Sequence, residues 1–392
     1  MSQVMPVVDA GGQVDSAYFD FRKAFDTVDN DTLLIQCAML GFTPGLLKFC
    51  ASYLSDRRQY VEFAGSQSRP YFTFSGVSQG SNLGPLLFIL MINSLPAVVL
   101  NAHCLLFADD LKLFLTVENV SDCERLQQDI DRVVQWGIDN RLYFNFKKCC
   151  VMSYSRARSP LQHQYIMGGE MVPRVVRVRD LGVEMAPDLT FHNHITEVCR
   201  RSFRSLGFIL RQCKDFRDTD SVKVLYNALV RSRLETNAII WNPHESKYSL
   251  MLEKIQNKFT RFLYFKQFGI YPYFPLMYPS LFVMGMVGYS RLHVRRDVAL
   301  VKYVWRVLRG ELYHPEVLRE LRLRAPDGYT ERRRHPPLLE VPAHRSNLMK
   351  FSPLSRAITI LNRLSLKTDI FSCNMLKFTE AAYACVEAID AN

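Results

Sequence analysis

Blocks of apolar residues near the start of the chain predict a strand, two helices and a hairpin. The run SAYFDF (16–21) is mostly apolar, as in a strand buried on both faces. A helix is predicted from Asp31 to near Gly41, and a second from Thr43 to about Leu54, with Pro44 in the first-turn position that proline favours. The segments QYVEFAG (59–65) and YFTFSG (71–76) alternate like paired strands.

The middle of the chain predicts further strands around one long helix. LLFADDLKLF (105–114) predicts two short strands that turn at Asp109 and Asp110. The capping-box pattern Ser121-x-x-Glu124 predicts the start of an amphipathic helix. Its apolar face comprises Leu126, Ile130, Val133, Val134 and Ile138. Strands are predicted within 144–155 and 174–185.

From about residue 193 the pattern becomes helical, and from about 271 it is mixed and rich in proline at first. This order of elements predicts an α+β protein with a mostly antiparallel sheet, followed by a helical domain and a mixed C-terminal region.

A long uncharged stretch between Arg69 and Asp109 raises the question of a membrane span. Its apolar part, residues 83–100, is interrupted by Pro85, Asn93, Ser94 and Pro96, whereas a span needs about 20 predominantly apolar residues. We therefore predict a fully buried helix that opens at Pro85, and no membrane partner.

Charge is distributed unevenly along the 392 residues. Residues 1–100 contain six Lys or Arg and eight Asp or Glu, a net charge of −2. Since the whole chain has a net charge of +11, the remaining residues carry a net charge of +13. A basic remainder favours an anionic partner, with nucleic acid ahead of a membrane surface. None of the ten cysteines forms a C-x-x-C pair, which favours reduced thiols in an intracellular protein without a disulfide-linked partner.

Two adjacent carboxylates, Asp109 and Asp110, are predicted to lie between apolar strands where water is scarce. Like charges at this distance repel, so a basic side chain, a shared proton or a metal ion must compensate them. Asp20, at the end of the first predicted strand, converges with them if the two strands are neighbours. Convergent aspartates on a rigid sheet bind hard divalent ions such as Mg²⁺, although an exposed turn with two solvated aspartates would also explain the pair.

Three stretches resemble motifs A, B and C of reverse transcriptases of the non-long-terminal-repeat retrotransposons, of the jockey-like or LINE-like kind. They are YFDFRKAFDTVD (18–29), SGVSQGSNLGPLLFILMINSLP (75–96) and FADDLKLF (107–114). Residues 136–156 resemble motif D and residues 179–195 resemble motif E. The resemblance implies an RNA-directed DNA polymerase that uses an RNA template, a DNA primer and deoxynucleoside triphosphates.

The resemblance also assigns the chemistry to particular residues. Asp20 and Asp109 match the carboxylates that hold two Mg²⁺ or Mn²⁺ ions, and Asp110 matches the second aspartate of the pair. Two such ions activate the attacking oxygen and stabilise the leaving one. Lys148 matches the motif D lysine that protonates the leaving pyrophosphate, although a solvated surface lysine is the alternative.

Other matching residues face the nucleotide and the primer. Phe25 matches the aromatic gate that excludes a 2′-hydroxyl, and a core phenylalanine is the alternative. Gln79 and Gly80 match the loop beside the nascent base pair, and Arg22 could pair with the triphosphate or crowd it. The remaining matches are Phe107 and Ala108 at the last primer sugar, and Leu181 and Gly182 in the hairpin that grips the primer.

The resemblance implies four domains. They are a palm (1–155), strands that grip the primer (156–192), a helical thumb (193–270) and a C-terminal region of unknown role (271–392). Four basic residues of the predicted thumb could track duplex phosphates or form a solvated helix face. They are Lys254, Lys258, Arg261 and Lys266.

The chain also departs from the family pattern. Ser78 stands where the family usually has proline, and Arg22 replaces a usual small residue. Only 19 residues precede Asp20, so we expect a truncated or partial chain without the endonuclease and complete fingers of the family. Two alternatives therefore remain, a catalytically inactive copy that only binds nucleic acid and a small-molecule phosphotransferase or cyclase. The sequence predicts neither the oligomeric state nor whether the compartment is nucleus or cytoplasm.

Overall fold

A computed structural model describes residues 1–273, 278–324, 337–344 and 346–390. The chain divides into two compact units, one formed by residues 10–181 and the other by residues 1–9 together with 182–392. The boundary between Leu181 and Gly182 falls in the turn between two short strands.

Twelve strands are present in the described residues. They are β1 (Gln13–Phe19), β2 (Arg57–Gln59), β3 (Glu62–Phe63), β4 (Ser66–Gln67), β5 (Tyr71–Thr73), β6 (His103–Phe107), β7 (Asp110–Val117), β8 (Cys150–Ser155), β9 (Ile166–Met167), β10 (Glu170–Met171), β11 (Val178–Asp180) and β12 (Val183–Met185). Short 3₁₀ turns cover Ala24–Asp26 and Leu95–Val98.

Sixteen α-helices are present in the same residues. They are α1 (Val4–Asp9), α2 (Asn30–Met39), α3 (Pro44–Leu54), α4 (Leu83–Ile92), α5 (Val120–Asp139), α6 (His192–Gln212), α7 (Thr219–Tyr226), α8 (Ser232–Glu235), α9 (Ala238–Trp241), α10 (Ser246–Phe268), α11 (Ser280–Met286), α12 (Leu292–Leu308), α13 (Pro315–Glu320), α14 (Asn347–Lys350), α15 (Pro353–Leu364) and α16 (Met375–Asp390). A π-helical turn, Asn227–Arg231, joins α7 to α8.

The unit of residues 10–181 is built on a four-stranded antiparallel sheet in the order β6-β7-β1-β8. Strand β1 is central and almost entirely buried, as its apolar sequence predicted. Helices α2, α4 and α5 contribute Leu33, Phe88 and Leu126 to its core. The predicted α+β class with an antiparallel sheet is confirmed.

Two local predictions in this unit are wrong in detail. Helix α5 is capped by Asn119 and Asp122, which exchange side-chain to backbone hydrogen bonds, and not by Ser121 and Glu124. The predicted fully buried helix is α4, and it has an outer face on which Leu86 is 51% exposed. Because apolar residues occur all around this helix, the sequence does not indicate which of its faces is buried.

The unit that contains residues 182–392 is helical in its described parts. Helix α10 packs on α6 and α7, where the rings of Tyr226 and Phe259 stack 3.7 Å apart. A second core surrounds α12, where Trp305 stacks on Phe378 at 4.2 Å and donates from Nε1 to the carbonyl of Ile370. In the described residues, no helix combines the length and hydropathy that crossing a membrane requires.

Candidate active site

The register of the sheet brings the three sequence-predicted carboxylates to one edge. In the pairing of β1 with β7, Phe19 lies opposite Leu111. Asp20 follows Phe19 and Asp110 precedes Leu111 in the chain, so these two aspartates end adjacent antiparallel strands. Phe107 pairs with Asp110 across the β6–β7 hairpin, which leaves Ala108 and Asp109 as a two-residue loop. The predicted turn at the aspartates is confirmed.

The backbone of this hairpin loop is strained at Ala108. Its φ angle is 52°, in the left-handed region that costs a residue with a Cβ about 1–2 kcal/mol. A positive φ at the first loop position is what tight hairpins use, usually with glycine. Strain of this kind is tolerated where the surroundings hold the loop in place, here the ladders on both sides of β7.

The three carboxylates are more exposed to solvent than the sequence predicted. Asp109 and Asp110 are exposed and the side chain of Asp20 is 39% exposed, so the expectation of a water-poor pair is wrong. The loop is not enclosed by apolar side chains, because β6 is the edge strand of the sheet and its residues Leu105 and Phe107 are themselves 54% and 65% exposed. Partial burial still raises the pKa of Asp110, and the negative charges of Asp109, Asp180 and Asp20 raise it further.

Lys148 supplies positive charge at this edge. Its Nζ lies 3.5 Å from Asp20 Oδ1, and the lysine side chain is 66% exposed. The segment before it is fixed to the end of β1, because Asn145 N–H donates to the carbonyl of Asp20 at 2.7 Å and Lys148 N–H donates to the carbonyl of Asn145 at 2.9 Å. The sequence-predicted motif D lysine and motif A aspartate are therefore brought together.

A second ion pair at the same edge was not predicted. Lys112 Nζ lies 3.0 Å from Asp180 Oδ2, and both side chains are largely buried. The ammonium also lies 4.9 Å from the ring centroid of Tyr18, directly opposite on β1. Only the placement of Lys112 at an outward position of an alternating strand hinted at a role. The two partners are 68 positions apart in the chain, and no local pattern signals their pairing.

Phe25 lies in the 3₁₀ turn that follows the strand ending before Asp20, and it packs against the core. It is partly buried, and its ring stacks on that of the fully buried Phe88 at 4.4 Å. Its carbonyl accepts a hydrogen bond from Val77 N–H at 2.8 Å. Phe25 is thus both packed against the core and positioned by the motif B segment, so the two predicted alternatives are not exclusive.

The loop that carries Gln79 and Gly80 is tied to the segment after Asp20. Gln79 Nε2 donates to Asp26 Oδ1 at 2.8 Å, a partner the sequence did not single out. Gly76 has a φ of 83°, and a Cβ there would lie 2.6 Å from the carbonyl oxygen of Asp26. Gly80 also has a positive φ of 80° but faces open space. Glycine is therefore required at these positions for conformation, and at Gly76 also for space.

Ser78 stands where proline was expected, and Arg57 holds this loop from outside. The guanidinium of Arg57 donates to the carbonyls of Ser75 and Gly76 and to Ser78 Oγ. Tyr53 donates from its hydroxyl to Ser81 Oγ at 2.8 Å. These hydrogen bonds restrain the loop in place of a proline ring.

The other residues predicted to contact the nucleotide and the primer lie at the surface. The side chain of Arg22 is exposed, and its N–H donates to the carbonyl of Tyr143 at 2.9 Å. Phe107 is 65% exposed. Leu181 and Gly182 occupy a turn with φ angles of 44° and 85°.

The four basic residues of α10 do not form one exposed face, because only Lys254 and Lys258 are exposed. Arg261 is 8% exposed and donates to the carbonyl of Pro272 and to Ser280 Oγ, and burial lowers its pKa. Its prediction as a phosphate contact is wrong, because the helix turns it inward to satisfy the following loop. Lys266 donates from Nζ to the carbonyls of Lys214 and Phe216 at 2.8 and 2.7 Å.

The three aspartates offer carboxylate oxygens, which are the ligand type that hard divalent cations prefer. Asp20 Oδ1 is buried and accepts no hydrogen bond, although Lys148 Nζ lies 3.5 Å away as its charge partner. Negative charge is concentrated around Asp110, and carboxylate oxygens are the ligands that Mg²⁺ prefers. Within the described residues, no three His, Cys, Asp or Glu side chains converge as a ready metal cluster. The structure therefore gives the candidate ligands without the geometry of a bound ion.

An antiparallel sheet packed with helices, with carboxylates at adjoining strand ends, is the arrangement expected of a polymerase palm. Residues 15–210 match the family described as "Reverse transcriptase (RNA-dependent DNA polymerase)". The match covers half of the chain, and the chain belongs to the reverse transcriptase family. Polymerases of this family generally use divalent metal ions.

Relatives with similar sequences come from mobile elements of insects. The chain is 27% identical over 276 residues to the probable RNA-directed DNA polymerase from transposon X-element of Drosophila melanogaster, covering 67% of this chain and 30% of that protein. It is 28% identical over 198 residues to the RNA-directed DNA polymerase from mobile element jockey of Drosophila funebris, covering 48% and 21%. The chain thus spans less than a third of the length of these curated relatives.

Among solved structures, apo telomerase from Candida tropicalis aligns with 94% of this chain and 53% of its own, at 9% identity and a TM-score of 0.38. The telomerase from Candida albicans aligns with 73% of this chain and 47% of its own, at 12% identity and a TM-score of 0.31.

Proposed function

We propose that this chain is the polymerase part of an RNA-directed DNA polymerase of a non-long-terminal-repeat retrotransposon. It extends a DNA primer on an RNA template with deoxynucleoside triphosphates. The observation that carries the proposal is the position of Asp20 and Asp110 at adjoining ends of two paired strands, with Asp109 in the loop next to Asp110. The family membership of the chain and its mobile-element relatives support the same function.

Asp20 and Asp109 would hold two Mg²⁺ or Mn²⁺ ions, with Asp110 beside them. When bound, the ions supply the Lewis acidity that activates the primer 3′-hydroxyl and stabilises charge on the α-phosphate and leaving group. Partial burial raises the pKa of Asp110, and the negative charges of Asp109, Asp180 and Asp20 raise it further. Bound cations would relieve this negative field, which supports the assignment.

Lys148 would provide the proton for the leaving pyrophosphate from its Nζ. In the structure it neutralises Asp20 at 3.5 Å, and its exposed stem leaves it free to turn towards a bound triphosphate. Phosphoryl transfer depends mainly on positioning and charge stabilisation, so a lysine fixed at its backbone and mobile at its head group suits this role.

Nucleotide selection is assigned to Phe25 and the motif B loop. The ring of Phe25, backed by Phe88, would leave no space for a 2′-hydroxyl. Gln79 and Gly80 would lie beside the nascent base pair, in a loop restrained by Asp26. Arg22 would contact the triphosphate from the exposed segment after Asp20.

Primer and duplex contacts complete the proposal. Phe107 and Ala108 would lie at the last primer sugar, and the turn of Leu181 and Gly182 would grip the primer through its backbone. Lys254 and Lys258, both exposed on α10, would contact duplex phosphates from a thumb spanning residues 193–270. Residues 1–155 would form the palm, residues 156–192 the primer-gripping strands, and residues 271–392 have no assigned role.

Primer extension tests this proposal. The purified chain is given an RNA template, an annealed DNA primer, the four dNTPs and Mg²⁺ or Mn²⁺, with the Asp109→Ala variant in parallel. We expect extension by the wild type alone, and equal or tighter binding of the duplex by the variant because a negative charge near phosphates is removed. Absent extension by a wild type that binds the duplex would contradict the proposal and leave only nucleic-acid binding.

A further inference from the structure

The hairpin between helix α3 and the motif B loop projects into solvent with an unusual surface. Every residue from Arg58 to Phe72 is exposed. Several are large and apolar, and Phe63 and Phe74 are 82% and 87% exposed. Monomeric surfaces rarely leave apolar side chains clustered in this way without a binding function. No role in the proposed chemistry uses them.

One face of this hairpin is organised as a stack. Arg58 lies opposite Phe72 in the β2–β5 pairing, and its guanidinium carbon is 4.7 Å from the centroid of the Phe72 ring. The ring of Phe74, two residues further along, is nearly parallel to that of Phe72 at 6.4 Å. We call Arg58, Phe72 and Phe74 the aromatic ladder.

The other face of the hairpin is different. Side chains alternate between the faces of a strand, so Tyr71 points away from the ladder, and its hydroxyl donates to Gln59 Oε1 at 3.2 Å. Its exposed fraction of 51% nevertheless matches the 49% of Phe72. Tyr71 is therefore a neighbour of the same size and exposure outside the ladder.

Charge and position favour a nucleic acid as the occupant of the ladder. Between Arg57 and Ser75 the chain contains three arginines and a single acid, Glu62. Arg57 fixes the base of the hairpin to the carbonyls of Ser75 and Gly76, so the ladder is continuous with the loop that carries Gln79. Planar side chains beside arginines bind unpaired bases by stacking, with little dependence on base identity.

We propose that the aromatic ladder binds single-stranded nucleic acid by stacking unpaired bases on Phe72 and Phe74, with Arg58 beside them. Paired bases in a duplex do not expose the faces that this surface needs, so the ladder selects single strands. The inference extends the proposed function, since an unpaired template is the strand that such a surface would guide. The binding itself does not require polymerisation.

Binding of labelled RNA to the full chain tests this inference. The dissociation constants for a single-stranded 15-nucleotide RNA and for a blunt duplex of equal length are measured for the wild type and for the Phe72→Ala, Phe74→Ala and Tyr71→Ala variants. We expect about tenfold weaker binding of the single strand by the two ladder variants, and unchanged binding of the duplex. Tyr71→Ala should bind both RNAs as the wild type does.

Three further variants separate stacking from packing and from charge. Phe72→Trp should retain single-strand affinity, whereas Phe72→Leu should lose it although it keeps an apolar side chain. Arg58→Ala should reduce the slope of log affinity against log salt by about 0.7 for the single strand. Thermal unfolding of each variant confirms that it is folded.

Unchanged single-strand affinity in Phe72→Ala and Phe74→Ala would overturn the inference and indicate that the ladder is covered by protein. Equal loss of single-strand and duplex affinity would also overturn it, since stacking would not be the cause. Primer extension measured on the same samples separates the two proposals. Selective single-strand binding in a wild type that extends no primer would support the ladder and contradict only the proposed polymerase.

Discussion

Lys148 Nζ lies 3.5 Å from Asp20 Oδ1, across the edge of the sheet at which Asp109 and Asp110 also lie. The contact is made by two segments that also share a backbone hydrogen bond from Asn145 N–H to the carbonyl of Asp20. This hydrogen bond holds the backbone of the lysine segment next to Asp20, even if the ammonium group turns towards another partner. This arrangement gives the lysine a charge-balancing position, and it suits the proton-donating role proposed for Lys148.

Replacing Lys148 by methionine should slow nucleotide incorporation by about 100-fold, because a positioned proton donor commonly contributes that much. The measurement is the rate of single-nucleotide incorporation at saturating dNTP. Lys147→Met is the matched control, since Lys147 is the adjacent exposed lysine. Equal slowing in both variants would indicate a loss of general positive charge and contradict the assigned role.

Two glycines of the motif B loop allow strain and crowding to be separated. Gly76→Ala places a Cβ 2.6 Å from the carbonyl oxygen of Asp26, whereas Gly80→Ala meets nothing within 4 Å at nearly the same φ. Gly80→Ala should lower the free energy of unfolding by about 1–2 kcal/mol from backbone strain alone. Gly76→Ala should cost clearly more, about 3–4 kcal/mol. Urea unfolding of both variants checks this, and equal losses would show that the contact does not restrain the loop.

Asp110→Asn should stabilise the protein at neutral pH. Burial and the nearby carboxylates raise the pKa of Asp110 in the folded state, so its ionised form is less favourable there than in the unfolded chain. The wild type therefore loses stability as pH rises through the interval between the ordinary and the raised pKa, and the variant does not.

Melting temperatures from pH 3 to pH 8 test this expectation without added metal. The difference between Asp110→Asn and the wild type should vanish below the ordinary carboxyl pKa of about 3.8 and grow above it. Asp131→Asn is the control, since Asp131 is an exposed carboxylate on α5 whose contact is with Gln127. A stability difference that does not change with pH would contradict the electrostatic explanation.

Phe25→Val should relax discrimination against ribonucleotides. The substitution removes a ring that lies on Phe88, and loss of such a steric block should raise incorporation of rNTPs relative to dNTPs by about 10- to 100-fold. The comparison of rates for the two nucleotide types on one template is its own control for general loss of activity. An unchanged ratio would make Phe25 a core residue only.

The elements that frame the site could be predicted because their signals are local. A short apolar strand ending in Asp20 and a strand turn at Asp109 and Asp110 are visible in hydrophobic pattern alone, and the structure contains both. Their convergence depends on β1 lying beside β7. The sequence pattern does not give that pairing, and the resemblance to a known family implied only that the two carboxylates share a metal site.

Contacts between distant segments were missed for a physical reason. The pairing of Lys112 with Asp180 and the hydrogen bond from Gln79 to Asp26 join residues whose neighbourhood is decided by the packing of the whole unit. Arg261 was misplaced because helical periodicity puts it near lysines, whereas its guanidinium points inward and donates to the carbonyl of Pro272 and to Ser280 Oγ. The Asn119 cap was missed because a second capping pattern begins two residues later.

The central claim is that Asp20 and Asp109 together form the nucleotidyl-transfer site. Primer extension on an RNA template with Mg²⁺ should be measured for the wild type and for Asp20→Asn, Asp109→Asn and Asp131→Asn, with duplex affinity measured on the same samples. Loss of extension in the first two variants, with normal duplex affinity and full activity in Asp131→Asn, is the predicted result. Undiminished extension by either Asp20→Asn or Asp109→Asn would contradict the account.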